Sequence, residues 1–147
     1  MKNPDYTSCI KKQKDLIDSF SNYSDAESTY KHIMDLGKSL SPIEEIHKVE
    51  KNIVKGCQSL MFLHSQESSG KLFFKVYSNA LISAGLAALL INVYSGETAE
   101  TILKCPPHFL TELKINQSLS PSRANGLSSL HLRMKQDAIN FISKSLH

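Results

Sequence analysis

Cysteine is scarce in this chain. Cys9, Cys57 and Cys105 are the three among 147 residues. An odd number at irregular spacing argues against a disulfide framework and fits a reducing compartment. No two of them form C-x-x-C, so neither a thioredoxin-like motif nor a zinc knuckle has support. Long apolar runs are missing too: the longest, around residues 86–93, is interrupted by Asn92 and is too short to span a bilayer. The opening residues, MKNPD, lack the apolar core of a signal peptide. A cytoplasmic protein without a membrane partner is therefore expected. Charge of one sign is not in large excess, with a formal net charge of +3. The densest basic run (Lys11, Lys12 and Lys14) is broken by Gln13 and reads as a solvated helix face rather than a nucleic-acid site. Internal repeats and low-complexity tracts are absent. The six histidines (His32, His47, His64, His108, His131 and His147) show no ligand-type clustering, so no metal site and no resident cofactor are expected.

What is present is the composition of one folded domain, 41% hydrophobic and 21% charged, spanning 1–147. Residues 1–23 read as an N-terminal extension or short helix, with Ile10, Leu16, Ile17 and Phe20 on its apolar side. Ser24-Asp25-Ala26-Glu27 has the form of a capping box, with Ser24 as the cap of a helix that ends near Gly37. Ser41-Pro42 suggests another helix start. Residues 52–54 read as a brief strand and residues 55–58 as a loop. Residues 59–64 and 71–77 are apolar runs joined by a polar, glycine-bearing connection, which predicts an antiparallel hairpin. Ser78 or Asn79 can cap the long apolar helix that follows, through Val93. Gly85 inside that helix predicts the close approach of another backbone, because glycine otherwise costs roughly 1 kcal/mol there. Short helices after Thr98 and around Phe109 follow, and Ser120-Pro121 opens a last helix. The fold class is α+β: a small antiparallel sheet of about three strands packed against helices.

Cys57 lies on the loop Gly56-Cys57-Gln58-Ser59. A cysteine beside a glycine on a loop can be reached by a partner, and nearby amides can lower its pKa. A buried, inert thiol used as a small apolar residue is the competing account. Cys9, in a polar segment, reads as exposed and incidental. Cys105 and His108 could pair, but no further ligands gather beside them. Arg123 stands in the first turn of the last helix, where cations are mildly disfavoured. It either pairs with a local carboxylate such as Glu112 or holds a thiolate, a backbone carbonyl or a partner surface.

Four blocks carry a resemblance to a known family. Val54-Lys55-Gly56-Cys57-Gln58-Ser59 resembles the V-x-G-C-x-S motif of SufE-type sulfur acceptors. Leu119-Ser120-Pro121-Ser122-Arg123-Ala124-Asn125-Gly126-Leu127 resembles their L-[ST]-x-S-R-x-x-G-L motif. Ser78-Asn79-Ala80 with Gly85-Leu86, and the helix from Tyr30 to Leu40, resemble two further family blocks in the same order. The likeness runs from about Asp25 to Ala138. It implies an α+β fold shared with U-type cluster scaffolds, and Cys57 as a persulfide acceptor supported by Gly56, Gln58, Ser59 and Arg123. It implies contact with a SufS-type cysteine desulfurase, which itself carries pyridoxal phosphate, through candidates Lys55, Asn79 and Arg123. It further implies stimulation of that desulfurase, no independent turnover, and delivery of sulfur to a SufB-containing scaffold for iron–sulfur cluster assembly. A homodimer is left open. Asn79 stands where the family usually has aspartate, and Ala84 where it usually has lysine; the loss of these charges is expected to alter the grip on the desulfurase.

Sulfur transfer needs a thiolate, yet an exposed persulfide would be lost to reductants or oxidised. Cys57 is therefore expected to be tucked against apolar neighbours, with Leu60, Met61, Phe62 and the long core helix as candidates, on a loop that swings out when a partner docks. Rival readings are a U-type metal scaffold, a cysteine hydrolase or peroxidase, and a noncatalytic desulfurase-binding adaptor. The scaffold would need C-x-D where this chain has Cys57-Gln58-Ser59, and the hydrolase an orienting base the sequence does not name.

Overall fold

A computed structural model describes residues 6–146. Residues 1–5 of the expected N-terminal extension, and His147, lie outside the described residues. The order is α1 (Thr7–Ser19), α2 (Ala26–Lys38), two 3-10 turns (Glu45–His47 and Glu50–Asn52), β1 (Met61–Ser68), β2 (Lys71–Ser78), α3 (Leu81–Tyr94), β3 (Glu97–Thr98), α4 (Ala99–Lys104), α5 (Phe109–Glu112), α6 (Ile115–Ser118) and α7 (Pro121–Ser145).

The hairpin forms as the alternation demands. Met61 pairs with Ser78, Leu63 with Val76 and Ser68 with Lys71. Only Ser69 and Gly70 connect the strands, both at positive φ (53° and 80°), the backbone that matches the twist of a tight two-residue hairpin. Leu72, Phe74 and Val76 are buried while Lys71, Phe73 and Lys75 face outward, so helices cover one side of the sheet. The third strand is not residues 52–54, which contribute only an isolated Ile53–Phe62 bridge. It is β3, antiparallel to β2. The Ser95 hydroxyl extends that edge by accepting from the Phe74 amide at 3.0 Å.

α3 is buried along almost its whole length, from Gly85 to Tyr94 apart from Asn92. The expected close approach is real: α2 crosses α3 with Gly37 against Gly85. A Cβ at Gly37 would come within 2.6 Å of the Gly85 amide nitrogen. α2 ends at Lys38, next to Gly37 as expected, but Gly37 is its last-turn contact with α3 rather than its cap. Its N-cap is Asp25, not Ser24: the Asp25 carboxylate accepts from the Ser28 amide at 2.7 Å, which holds its carboxyl below the usual range. The cap of α3 is Ala80, without a side-chain bond, so neither Ser78 nor Asn79 serves. Ser41-Pro42 opens no α-helix, and only the two 3-10 turns follow.

α1 docks by polar contacts as well as apolar ones. Ile10 is exposed, and Cys9, Gln13, Leu16 and Phe20 form the buried side. Gln13 donates to the Pro106 carbonyl (3.0 Å) and accepts from the Phe109 amide (3.1 Å). Lys12 pairs with the buried Glu97 at 2.5 Å, and Ser8 donates to the same carboxylate at 2.8 Å. Part of the basic run is therefore a structural contact, not a solvated face. Cys9 is buried, not exposed. Burial, with the neighbouring Cys105, pushes its thiol up to about 12. Cys105 is buried, whereas His108 is exposed at the start of α5, so the two form no metal or catalytic pair.

Candidate functional site: a sheltered cysteine loop

Ser120 caps α7 by accepting from the Arg123 amide, with Pro121 in the first helical position. This start places Ser122, Arg123 and Gly126 beside the loop that precedes β1. The Val54 amide donates to the Met61 carbonyl at 2.9 Å and closes the base of that loop. At its tip Gly56 has φ +91°, and a Cβ there would strike the Ser129 hydroxyl. The positive φ favours glycine, and any side chain there would also have to turn the Ser129 hydroxyl aside.

Cys57 is half-buried. Its thiol points at the Gly126 carbonyl (3.7 Å) and the Met61 sulfur (4.0 Å). Next to it lies a small pocket of ≈ 20 Å³, lined by the apolar Met61, Leu86, Ala87, Leu127 and Leu130 and by the polar Gln58, Ser83, Ser122 and Arg123. That is room for about one water-sized group, and a second sulfur atom is of comparable size. Burial pushes the Cys57 thiol above its ordinary 9.0. The amides of the loop do not lower it; desolvation dominates and favours the neutral thiol.

Cys57, Gln58 and Arg123 come together at this pocket. Ser59 is half-buried behind it, its hydroxyl 3.4 Å from that of Ser83. Lys55 is exposed on the approach. Asn79 is exposed and touches the loop through its backbone, its amide 3.4 Å from the Leu60 carbonyl. Ala84 does not line the pocket. Of Leu60, Met61 and Phe62 only Met61 lines it, and Leu60 is 44% exposed. Arg123 makes no ion pair with Glu112; among the described residues no partner holds its guanidinium, and the residue lines the pocket.

The core helix was expected to help line the pocket, and Leu86 and Ala87 of α3 do so. Sequence reasoning missed the part of the floor that α7 supplies, Leu127 and Leu130, which read as core. The available signal was the helical spacing that puts residues 122, 123, 126, 127 and 130 on one side of α7. Among the described residues no three His, Cys, Asp or Glu side chains gather as a metal site, and no helix is long and apolar enough to cross a membrane.

The site is an α+β domain's one partly exposed thiol beside a small pocket that an arginine helps to line. Residues 14–138 match the family described as "SufE: Fe-S metabolism associated domain". The chain belongs to the SufE family, and so to the proteins of iron–sulfur metabolism. It is 32% identical to an uncharacterized SufE-like protein of Synechocystis over 126 residues, covering 86% of this chain and 79% of that one. It is 31% identical to a chloroplastic/mitochondrial SufE-like protein of Arabidopsis thaliana, covering 88% of this chain and 35% of that longer protein. A SufE-like protein of Rhizobium meliloti is 30% identical over 84% of this chain and 91% of its own length. The solution structure of a hypothetical protein from Thermus thermophilus has the same fold, with TM-score 0.74 at 23% identity over 90% of this chain and 96% of that one.

Proposed function

We propose that this protein is a sulfur acceptor and carrier. In this reading Cys57 takes persulfide sulfur from a SufS-type cysteine desulfurase, stimulates that enzyme by removing its product, and delivers the sulfur to a SufB-containing scaffold. The observation that carries the reading is the Cys57 sulfur beside an apolar pocket with space for one more small group. In the transfer, the Cys57 thiolate attacks the outer sulfur of the donor persulfide R–S–SH. A new S–S bond forms on Cys57, the donor S–S bond breaks, and R–S⁻ leaves, so Cys57–S–SH results and no outside oxidant is used. Because burial favours the neutral thiol, the loop moves out to ionise and react, then returns to shelter the product from reductants. Arg123 beside the pocket attracts the anionic sulfur as it passes, and the exposed Lys55 and Asn79 flank the route a partner would take. Pyridoxal phosphate belongs to the partner, and a cytoplasmic setting fits the free thiols.

The test is intact-mass spectrometry after incubation with an active desulfurase, pyridoxal phosphate and cysteine. Wild type is expected to gain sulfur that reductant removes, and Cys57→Ser to gain none. Sulfur on neither protein would reject the acceptor reading in favour of a desulfurase-binding adaptor.

A further inference from the structure

α7 runs beneath the whole cysteine segment and meets it at successive turns. Gly126 faces Cys57: a methyl there would lie 3.6 Å from the thiol sulfur. Ser129 sits under Gly56. One turn further on, Arg133 reaches the backbone that leads into the loop. Its Nη1 donates to the Ile53 carbonyl at 3.0 Å and its Nη2 to the Lys51 carbonyl at 2.6 Å. Its Nε donates to Asp137 at 3.3 Å, and the second Asp137 oxygen accepts from Ser65 of β1 at 2.5 Å. Both side chains of the ion pair are mostly buried, 23% and 18% exposed. A planar guanidinium is suited to this task because its donors are fixed in a fork and can hold two carbonyls and a carboxylate at once.

We propose that Arg133 is the positioning residue of the cysteine loop: it pins residues 51–53 to α7 and β1, so that outward motion is confined to residues 55–60 and Cys57 returns to the same pocket. The proposal rests on Cys57 being the working residue, and deepens that reading by naming what sets how readily its thiol emerges. Arg133 touches neither the thiol nor the pocket; it acts through the stalk of the loop. Without it, the stalk keeps the Val54–Met61 hydrogen bond and the Ile53–Phe62 bridge, but loses its tie to α7.

The three cysteines provide the test. Wild type, Arg133→Ala and Arg133→Lys are alkylated with iodoacetamide under native conditions over a series of pH values, and each cysteine is quantified by peptide. Cys9 and Cys105 are buried and report global opening, while Cys57 reports the loop. Arg133→Ala is expected to raise the Cys57 rate roughly tenfold, the scale of losing hydrogen bonds to a charged donor. The midpoint of its pH profile should shift down toward that of an ordinary thiol, with Cys9 and Cys105 unchanged. Arg133→Lys, whose single ammonium cannot reproduce the fork, should fall between and remains informative if the alanine variant does not fold. A wild-type Cys57 rate, or a rise shared equally by all three cysteines, overturns the proposal. Alkylation needs no desulfurase, so its outcome is separate from that of the sulfur-uptake experiment.

Discussion

Gly85→Ala is expected to lower the stability of the protein by about 2 kcal/mol or more, although alanine is the better helix former. In an open helix the exchange would gain roughly 0.5–1 kcal/mol. Here the new Cβ would collide with the Ile33 carbonyl oxygen and lie 2.7 Å from Ile33 Cγ2. Two of its three nearest neighbours are backbone atoms of α2, which cannot turn aside as a side-chain tip can, so the two helices must part. Overpacking of this kind costs typically about 1–3 kcal/mol and sometimes more. Gly37→Ala meets the same crossing from the other side. Once the helices have parted for one methyl, the second has less to displace, so the double variant should cost less than the sum of the singles. Gly126→Ala is the control: its Cβ finds nothing nearer than 3.6 Å and should be neutral or slightly stabilising. Chemical denaturation of the four variants checks this, and a fall of roughly 4–8 °C in Tm should accompany Gly85→Ala. Equal stabilities for Gly85→Ala and Gly126→Ala would refute the crossing as the cause.

The second large effect is acid sensitivity centred on His131. Its ring stacks on the fully buried Tyr94, centroids 5.3 Å apart, and the Tyr94 hydroxyl is committed to the Cys105 carbonyl at 2.6 Å. Among the described residues nothing accepts from or donates to His131 Nε2. Burial, helped by the positive charge of Lys135 one turn on, lowers its pKa from 6.5 to about 4. The folded value lies below the unfolded one, so the unfolded chain takes up the proton first. The stabilisation from neutral His131 is complete above about pH 6.5, declines as pH falls, and is gone below about pH 4. The two values bound it at roughly 3 kcal/mol, and partial access of solvent to the ring trims this to about 2 kcal/mol. His131→Phe keeps a ring on Tyr94 without the basic nitrogen. Denaturant unfolding at several values between about pH 7 and pH 4 should show wild type losing about 2 kcal/mol more than the variant. Parallel curves would remove His131 from the account of acid unfolding.

The parts of this molecule legible in the sequence are those with local signatures. The hairpin announces itself by alternation and a glycine-bearing turn, α3 by an apolar run that only a core can hold, α7 by Ser120-Pro121. Gly85 announced a close crossing because a glycine in such a helix has little other reason to be there. β3 was hidden because two residues have no periodicity; its place is set by pairing with β2. Cys9 was hidden because its burial depends on Gln13, a polar residue whose bonds go to residues more than ninety positions away. The Cys57 motif was readable, and so was the need to shelter its sulfur against apolar neighbours. Loop context left open whether amides or burial govern the thiol, and burial does. The share of the enclosure that comes from Leu127 and Leu130 of α7 belongs to the tertiary fold and has no local trace beside Cys57.

The enclosure of Cys57 also sets a clock. Burial pushes the Cys57 thiol up from its ordinary range, so at neutral pH it is ionised less often than an exposed cysteine. Stray electrophiles and peroxides, which react with thiolate, therefore meet a less reactive population, and adventitious damage accumulates more slowly however abundant the protein is. If Cys57 is the proposed sulfur acceptor and opening of the loop restores its reactivity, throughput is governed by how often a partner is encountered, and surplus unbound protein is a stable reserve.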